Sequence, residues 1–256
     1  MATSPNTFVW YELMTTDMDA AQAFYSAVVG WTPRDFSQPD MRYTVMHAGD
    51  KGVAGVMTLP AEASAGGGRP GWVGYVGTED VDASTAKVRQ AGGTVFREPD
   101  DIPGVGRFSV VADPQGAVFM LFQPLDGDNP PVPMGTPGHI GWRELYAADG
   151  VSAFDFYAGQ FGWTKAEAMD MGPMGIYQLF AAGGDAIGGM MTKPEHVPAP
   201  FWLYYINVPE IDAAITRVTD NGGQILFGPQ EVPGGAWIVQ GMDPQGAMFA
   251  LVAPRR

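Results

Sequence analysis

The chain has 256 residues, longer than the usual domain of about 100–150 residues, so two domains are expected. It is 46% hydrophobic and 12% aromatic, which is typical of a globular protein, and the absence of cysteine excludes disulfides, thiolate nucleophiles and cysteine-based zinc sites. The formal net charge of −14, with only 14 scattered Lys and Arg residues, argues against nucleic acid and anionic membranes as partners.

The sequence begins with MATSPN, which lacks the basic segment of a secretory signal. No apolar run reaches the roughly 18–20 residues that are needed to cross a bilayer. We therefore expect a cytoplasmic protein.

The first predicted strand is 9–13, where alternation places Trp10 and Glu12 on one face. A helix follows, with Asp17 as its N-cap and Gly30 as its stop. Three strands are expected after this helix, of which 42–48 and 53–59 are two.

A second strand and helix pattern follows in the same order. The helix is predicted at 80–91, and the D-P-Q-G sequence at 113–116 is typical of a type I turn between two strands. The strands predicted around them are 72–78, 94–96, 107–112 and 117–123.

The strongest signal is an internal repeat, which has to be identified before the fold is assigned. The WYEL sequence at 10–13 returns as WREL at 142–145, and DPQGA at 113–117 returns at 243–247. The repeat also includes the F-Y motif at 24–25, which returns at 156–157, and the G-W-T motif at 30–32, which returns at 162–164. Single residues that match at an offset of 134 are Tyr43, Gly55 and Met57 with Tyr177, Gly189 and Met191.

A fainter repeat lies within each half, because Asp17 and Gly30 recur as Asp80 and Gly93 at an offset of 63. The chain therefore consists of four modules. We predict a first domain at 1–124, a Pro- and Gly-rich linker at 125–138 and a second domain at 139–256. The predicted class is α+β, with four βαβββ modules in which curved mixed sheets surround clefts and the helices lie outside.

The W-x-E-L start, the D-x-x-x-A-x-x-F-Y helix ending in Gly-Trp, and the D-P-x-G hairpin resemble the vicinal-oxygen-chelate superfamily. This family contains glyoxalases, bleomycin-resistance proteins and extradiol dioxygenases, and the chain is similar to its two-domain tandem members. The resemblance covers nearly all of the chain except the linker. It implies a fold more than a function, because the family includes isomerases, dioxygenases, transferases and non-catalytic drug binders.

The resemblance also implies where a metal would bind, namely His, Gln or Glu on the first strand of a module and Glu on the last strand. None of the residues at these positions is a metal ligand, and the three histidines, His47, His139 and His196, do not form a ligand set. We therefore predict no metal and no cofactor. The six positions are Trp10, Trp142, Val73, Leu203, Met120 and Ala250.

Glu12 and its repeat partner Glu144 are the candidate catalytic residues, because alternation places each beside a former ligand position. A carboxylate in an apolar cleft has a raised pKa and can act as a general acid or base. The alternative, which we favour, is that each accepts hydrogen bonds from Trp or Tyr and fixes the strand register.

Aromatic and thioether side chains are the candidate ligand-binding residues. Such a wall suits a flat apolar molecule, although alternating aromatic residues are also typical of an ordinary core. The candidates are Trp10, Tyr43, Met57, Val73 and Met120 in the first half, and Trp142, Tyr177, Met191 and Leu203 in the second.

The resulting hypothesis is a glyoxalase- or bleomycin-resistance-like protein that binds a small apolar or aromatic molecule without a metal. The first alternative is an enzyme, either a glyoxalase-type isomerase or lyase or a dioxygenase- or hydroxylase-like protein. The second is a structural role in which side chains fill the clefts. We expect a small-molecule ligand as partner, and either a monomeric pseudo-dimer or a homodimer.

Overall fold

The computed structural model describes residues 6–39, 41–125 and 132–256. Over these residues the chain repeats one order of elements four times: a strand, a helix and three further strands. The predicted linker falls partly on 126–131, which lie outside the described residues. Among the helices of the described segments, none is long and apolar enough to cross a membrane.

The first half contains eight strands and three helices within its described part. The strands are β1 (Phe8–Thr15), β2 (Thr32–Asp35), β3 (Tyr43–Ala48), β4 (Lys51–Thr58), β5 (Gly71–Gly77), β6 (Thr94–Ile102), β7 (Gly106–Ala112) and β8 (Val118–Pro124). The helices are α1 (Met18–Val29), α2 (Ala61–Ala65) and α3 (Val81–Gln90).

The second half repeats this order. Its strands are β9 (Ile140–Ala147), β10 (Thr164–Asp170), β11 (Ile176–Ala181), β12 (Ala186–Thr192), β13 (Phe201–Asn207), β14 (Gln224–Glu231), β15 (Trp237–Met242) and β16 (Met248–Ala253). The helices are α4 (Gly150–Phe161) and α5 (Ile211–Asp220).

Each half forms one eight-stranded sheet. The strand orders are β2-β3-β4-β1-β5-β8-β7-β6 and β10-β11-β12-β9-β13-β16-β15-β14. The pairs β1 with β4 and β5 with β8 are parallel, whereas the hairpin pairs are antiparallel, so the sheets are mixed. The predicted α+β class and the four modules are confirmed.

The predicted helix ends agree with the structure. The Asp17 side chain accepts a hydrogen bond from the backbone N–H of Ala20 at 3.0 Å, which satisfies one of the free donors of the first turn of α1. Gly30 ends this helix at a φ of 87°, a left-handed conformation that favours glycine. Asp149 and Gly162 have the same roles in α4.

The described chain forms two compact units, and each unit takes one module from one half and one from the other. Unit 1 contains 6–9, 73–125 and 142–202, and unit 2 contains 10–39, 41–72, 132–141 and 203–256. Hydrogen bonds between motifs of opposite halves join the two modules of each unit.

Unit 2 contains a buried hydrogen-bond network around Tyr25. Its hydroxyl accepts a hydrogen bond from Nε1 of Trp72 at 2.8 Å and donates to Oδ2 of Asp243 at 3.2 Å. The other carboxylate oxygen accepts from the backbone N–H groups of Gln245 and Ala247, both at 2.9 Å. The F-Y motif of the first half therefore binds the D-P-Q-G hairpin of the second half.

Unit 1 contains the same network with the halves exchanged. The Tyr157 hydroxyl accepts from Nε1 of Trp202 at 3.0 Å and donates to Oδ2 of Asp113 at 3.1 Å. Burial raises the pKa of the Asp113 carboxyl and that of Asp243. The repeated Asp of this hairpin thus has a structural role, which is to hold together modules from opposite halves.

Candidate functional site

The first candidate site lies in unit 2, on β1, β3 and β4. Nε1 of Trp10 donates a hydrogen bond to the Tyr43 hydroxyl at 3.2 Å, and this hydroxyl is in turn hydrogen-bonded to the Glu12 carboxylate. Glu12 is only 4% exposed. A buried carboxylate therefore ends a short chain of donors that begins at an indole.

Gly55 of β4 makes this arrangement possible. Gly55 lies beside Glu12 in the parallel pairing of β1 with β4, and a Cβ atom at Gly55 would lie 2.0 Å from the Tyr43 hydroxyl oxygen. The tyrosine ring therefore crosses β4 over the bare glycine backbone to reach β1. This contact explains why Tyr43 and Gly55 recur together in the repeat.

The second candidate site lies in unit 1 and repeats the first. Nε1 of Trp142 donates to the Tyr177 hydroxyl at 2.8 Å, and this hydroxyl is hydrogen-bonded to Glu144. A Cβ atom at Gly189 would lie 2.2 Å from Cζ of Tyr177, and Gly189 pairs with Glu144 in the sheet. The protein thus contains two Trp–Tyr–Glu chains of equivalent connectivity.

The electrostatics of both sites favour a protonated tyrosine. Burial raises the pKa of Tyr43 and of Tyr177, and the charge of the neighbouring glutamate raises both further. Each hydroxyl therefore donates its proton to a carboxylate rather than losing it. This hydrogen bond is the contact that the structural interpretation of Glu12 and Glu144 requires, while a catalytic role for them stays a prediction.

The structure places Met57 with the first site. Met57 lies opposite Tyr43 in the pairing of β3 with β4 and beside Met14 in the pairing of β4 with β1. In the second site Met191 is buried and pairs with Tyr146. The indoles of Trp10 and Trp142 are only partly buried, so aromatic surface remains open in both sites.

The remaining predicted ligand-binding residues lie on β5, β8 and β13. In unit 1, Val73 and Met120 are buried, and Met120 pairs with Tyr75, whose ring contacts Phe122 at 6.0 Å between centroids. In unit 2, Leu203 is 1% exposed. Their role in ligand binding stays a prediction.

In unit 2 the structure also contains a polar residue that the sequence reasoning missed. Nε2 of Gln240 donates to the Tyr205 hydroxyl at 2.8 Å. The ring of the corresponding Tyr75 in unit 1 contacts Phe122. The repeat does not signal this contact, because the residue of the first half at the position of Gln240 is Val110.

Comparison with known proteins assigns the family. The model of the Glyoxalase/Bleomycin resistance protein/Dioxygenase superfamily matches residues 7–121 and 136–251, one match in each half. The chain belongs to this superfamily.

Two relatives are similar over almost their full length. A Mycobacterium tuberculosis protein named "Putative glyoxylase CFP32" is 31% identical over 247 residues, which cover 96% of this chain and 94% of the relative. The anthracycline biosynthesis protein DnrV of Streptomyces peucetius is 32% identical over 266 residues, which cover 98% of this chain and 94% of the relative.

Among solved structures, the Mn(II)-bound glyoxalase of Novosphingobium aromaticivorans has a TM-score of 0.68. The match covers 99% of this chain and 83% of that chain at 18% sequence identity. An identity this low shows a shared fold and does not transfer the activity.

At the first-strand positions where the resemblance places metal ligands, this chain has side chains that do not fit a divalent cation. Trp10 and Trp142 occupy the first-strand positions, and an indole N–H is a donor without a lone pair for a cation. Within 6–39, 41–125 and 132–256, no three His, Cys, Asp or Glu residues are grouped so that they could hold a metal ion.

Two of the histidines place Nδ1 beside a backbone carbonyl oxygen, and the third is exposed. Nδ1 of His47 lies 3.1 Å from the Val45 carbonyl oxygen, and Nδ1 of His139 lies 3.2 Å from that of Pro137. His196 is exposed.

Proposed function

We propose that this superfamily member binds a flat aromatic small molecule at its two Trp–Tyr–Glu sites, without a metal. The observation that carries the proposal is the repeated chain of donors from an indole through a tyrosine hydroxyl to a buried carboxylate. The hydrogen bond of each indole N–H fixes the ring, while the ring remains partly exposed.

A fixed and partly exposed indole is suited to stacking on a planar ligand. Aromatic pairs contribute about 0.5–1.5 kcal/mol beyond the burial of their area, and a preorganised ring loses little entropy on binding. Met57 and Met14 add thioether surface that adapts to ligands of different outline. The tyrosine and the glutamate supply polar groups that orient a ligand.

The relative DnrV supports a ligand of the polycyclic aromatic class. It is named as an anthracycline biosynthesis protein, and the match covers 98% of this chain. Anthracyclines are planar fused-ring compounds, which fits the stacking surface of the two sites.

The test is a titration of the protein with daunorubicin, a fluorescent anthracycline, followed by quenching of its fluorescence and by thermal shift. Ligand at 100 times its Kd should add about 2.7 kcal/mol to the free energy of unfolding. We expect two sites per chain, and Trp10→Leu or Trp142→Leu should each weaken one site about tenfold. The matched control is Trp237→Leu on β15, whose ring lies under the Arg256 guanidinium.

Gly55→Ala provides a sharper variant because the added methyl group occupies the position of the Tyr43 hydroxyl. The tyrosine must leave Glu12, so we expect the stoichiometry to drop from two to one. Gly159→Ala, at an exposed position in α4 with no neighbour within 4 Å, is the control for the substitution itself. Unchanged binding by Gly55→Ala and Trp10→Leu would contradict the proposed sites.

The second candidate function is an enzyme, either a glyoxalase-type isomerase or lyase or a dioxygenase- or hydroxylase-like protein. It is favoured by the buried carboxylates of Glu12 and Glu144 and by the relative that is named a glyoxylase. A fall in Tm with EDTA that one divalent ion reverses would support this candidate and contradict metal-free binding. We expect EDTA to leave the Tm unchanged.

A further inference from the structure

The first site contains a histidine that the second site lacks. His47 lies on β3 opposite Gly52, and the residue at the same place on β11 is Ala181, opposite Ala186. Both residues follow a register shift in their strand pair. The two copies therefore differ in one hydrogen-bonding side chain at a matched position.

The hydrogen bonding of His47 fixes which ring nitrogen can accept. Nδ1 lies 3.1 Å from the Val45 carbonyl oxygen, and a carbonyl oxygen can only accept, so Nδ1 carries the proton. In the neutral ring Nε2 is then an acceptor. The side chain of Phe36 stacks on the imidazole at 6.3 Å between centroids and 16° between planes, which further fixes the ring.

Nε2 of His47 and one end of the Trp10 indole both lie close to Gly52. A Cβ atom placed on Gly52 would be 3.7 Å from Nε2 and 3.6 Å from Cη2 of Trp10. The imidazole and the indole therefore flank one glycine, at the end of the indole away from Tyr43. The nearest atom to this Cβ position is Cγ1 of Val45 at 3.0 Å, so a side chain of β3, and none of β4, borders the imidazole and the indole here.

We propose that Nε2 of His47 accepts a hydrogen bond from the hydroxyl group of an aromatic ligand stacked on Trp10. The first site then selects hydroxylated planar aromatics, whereas the second site, with Ala181, accepts planar aromatics without this selection. This inference rests on the proposed function and deepens it by naming the ligand class of one copy.

The experiment uses two matched probes, naphthol and its methyl ether, which share the ring system and differ in the hydroxyl donor. Binding is measured by calorimetry with the full chain carrying Trp142→Leu, so that the first site dominates. We expect naphthol to bind about three- to tenfold more tightly than the ether, the usual net effect of one hydrogen bond.

His47→Asn is the decisive variant, because its amide can replace Nδ1 at the Val45 carbonyl but cannot replace Nε2. It should weaken naphthol binding to the level of the ether and leave the ether unchanged. His47→Gln, whose amide reaches farther, should recover part of the preference. Ala181→His in a Trp10→Leu background should create a preference for naphthol in the second site.

The possible outcomes separate the two proposals. If naphthol and the ether bind equally well to the chain with His47 and to His47→Asn, the inference is wrong and aromatic binding stands. If neither probe binds, the proposed function fails together with the inference. Should His47→Asn unfold, imidazole NMR of the chain with His47 decides, because a His47 Nε2 signal that does not move at saturating naphthol also overturns the inference.

Discussion

Single residues of the repeat divide into two groups with different roles. The Asp of each D-P-Q-G hairpin accepts a hydrogen bond from a helix tyrosine and from its own turn, so this family-identifying motif is structural. The Trp–Tyr–Glu chain, by contrast, leaves part of an indole exposed. Strand alternation predicted the shared face of Trp10 and Glu12, because alternation depends only on local geometry.

The role of Gly55 could not be predicted in the same way. The repeat of Tyr43 with Gly55 was visible in the sequence, yet its cause is a tyrosine ring that crosses a neighbouring strand. The crossing requires β4 to lie beside β1 as its parallel partner, and no local sequence pattern specifies that pairing.

At the residue scale we predict an unusual pH dependence from Asp243. Burial raises its pKa in the folded chain above the value of about 3.9 for an unfolded Asp. Between these two values the folded state binds a proton that the unfolded state lacks, so the free energy of unfolding falls as the pH rises through this window. Above the folded pKa the loss is complete.

The measurement is urea denaturation of the chain with Asp243 and of Asp243→Asn between about pH 3 and about pH 7. We expect the free energy of unfolding of the chain with Asp243, minus that of Asp243→Asn, to decrease as the pH rises and then to level off. Asp149→Asn should give the opposite slope, because hydrogen bonds from Ser152 lower the pKa of the Asp149 carboxyl. If this difference in free energy of unfolding increased with pH, a raised pKa of Asp243 in the folded chain would be contradicted.

At the element scale, the helices and inner strands were predictable, whereas the outer strand β6 was predicted only over 94–96 and the outer strand β2 was not located. Apolar periodicity and capping residues located α1 and its ends at Asp17 and Gly30. Strand β2 has the sequence TPRD with all four residues exposed, so it has no buried face to produce a pattern. It pairs with β3 as the outermost strand of its sheet.

Two equivalent residue pairs, one in each unit, show a compensating exchange of residues between the two copies. In unit 1, Val9 lies against Gly77, where a Cβ atom would be 2.9 Å from a Val9 methyl carbon. In unit 2, Gly141 lies against Asn207, where a Cβ atom on Gly141 would be 2.4 Å from the Asn207 amide oxygen. Each pair therefore contains one side chain and one glycine.

We predict that Gly141→Val destabilises the protein by about 2 kcal/mol or more, because the new side chain occupies the place of Asn207. Adding Asn207→Gly places the new valine against a glycine, as Val9 lies against Gly77, and should recover part of the lost free energy of unfolding. Recovery stays incomplete because the Asn207 amide no longer donates to the His139 carbonyl oxygen. A double-mutant cycle in urea should give a coupling of about 1 kcal/mol or more, and simple additivity would exclude the exchange.

At the scale of the whole molecule, the sequence identified the repeat but left open which modules pair. The answer depends on contacts far apart in the chain, such as Tyr25 with Asp243 and Tyr157 with Asp113. No periodicity encodes these contacts, because the position of each tyrosine in its helix and of each aspartate in its turn is explained by local structure alone. Each compact unit consequently contains residues from both halves.

This arrangement predicts that neither half of the chain is complete alone. Fragments 1–125 and 132–256 should each lose the partner of a buried tyrosine, and Trp31 should lose the Gly138 carbonyl oxygen to which its Nε1 donates at 2.7 Å. Unsatisfied buried polar groups cost about 1–3 kcal/mol each, so each fragment alone should aggregate or self-associate. Co-expressed fragments should purify as an equimolar complex.

Size-exclusion chromatography with light scattering measures the association, and urea denaturation measures its stability. The pair Tyr25→Phe and Tyr157→Phe should weaken the fragment complex, because both cross-half donors to Asp243 and Asp113 are removed. In the unsplit chain the same pair should cost less, since covalent linkage keeps the halves at high effective concentration. Fragments that stay monomeric and unfold cooperatively on their own would show that each half is self-sufficient and would refute the pairing across halves.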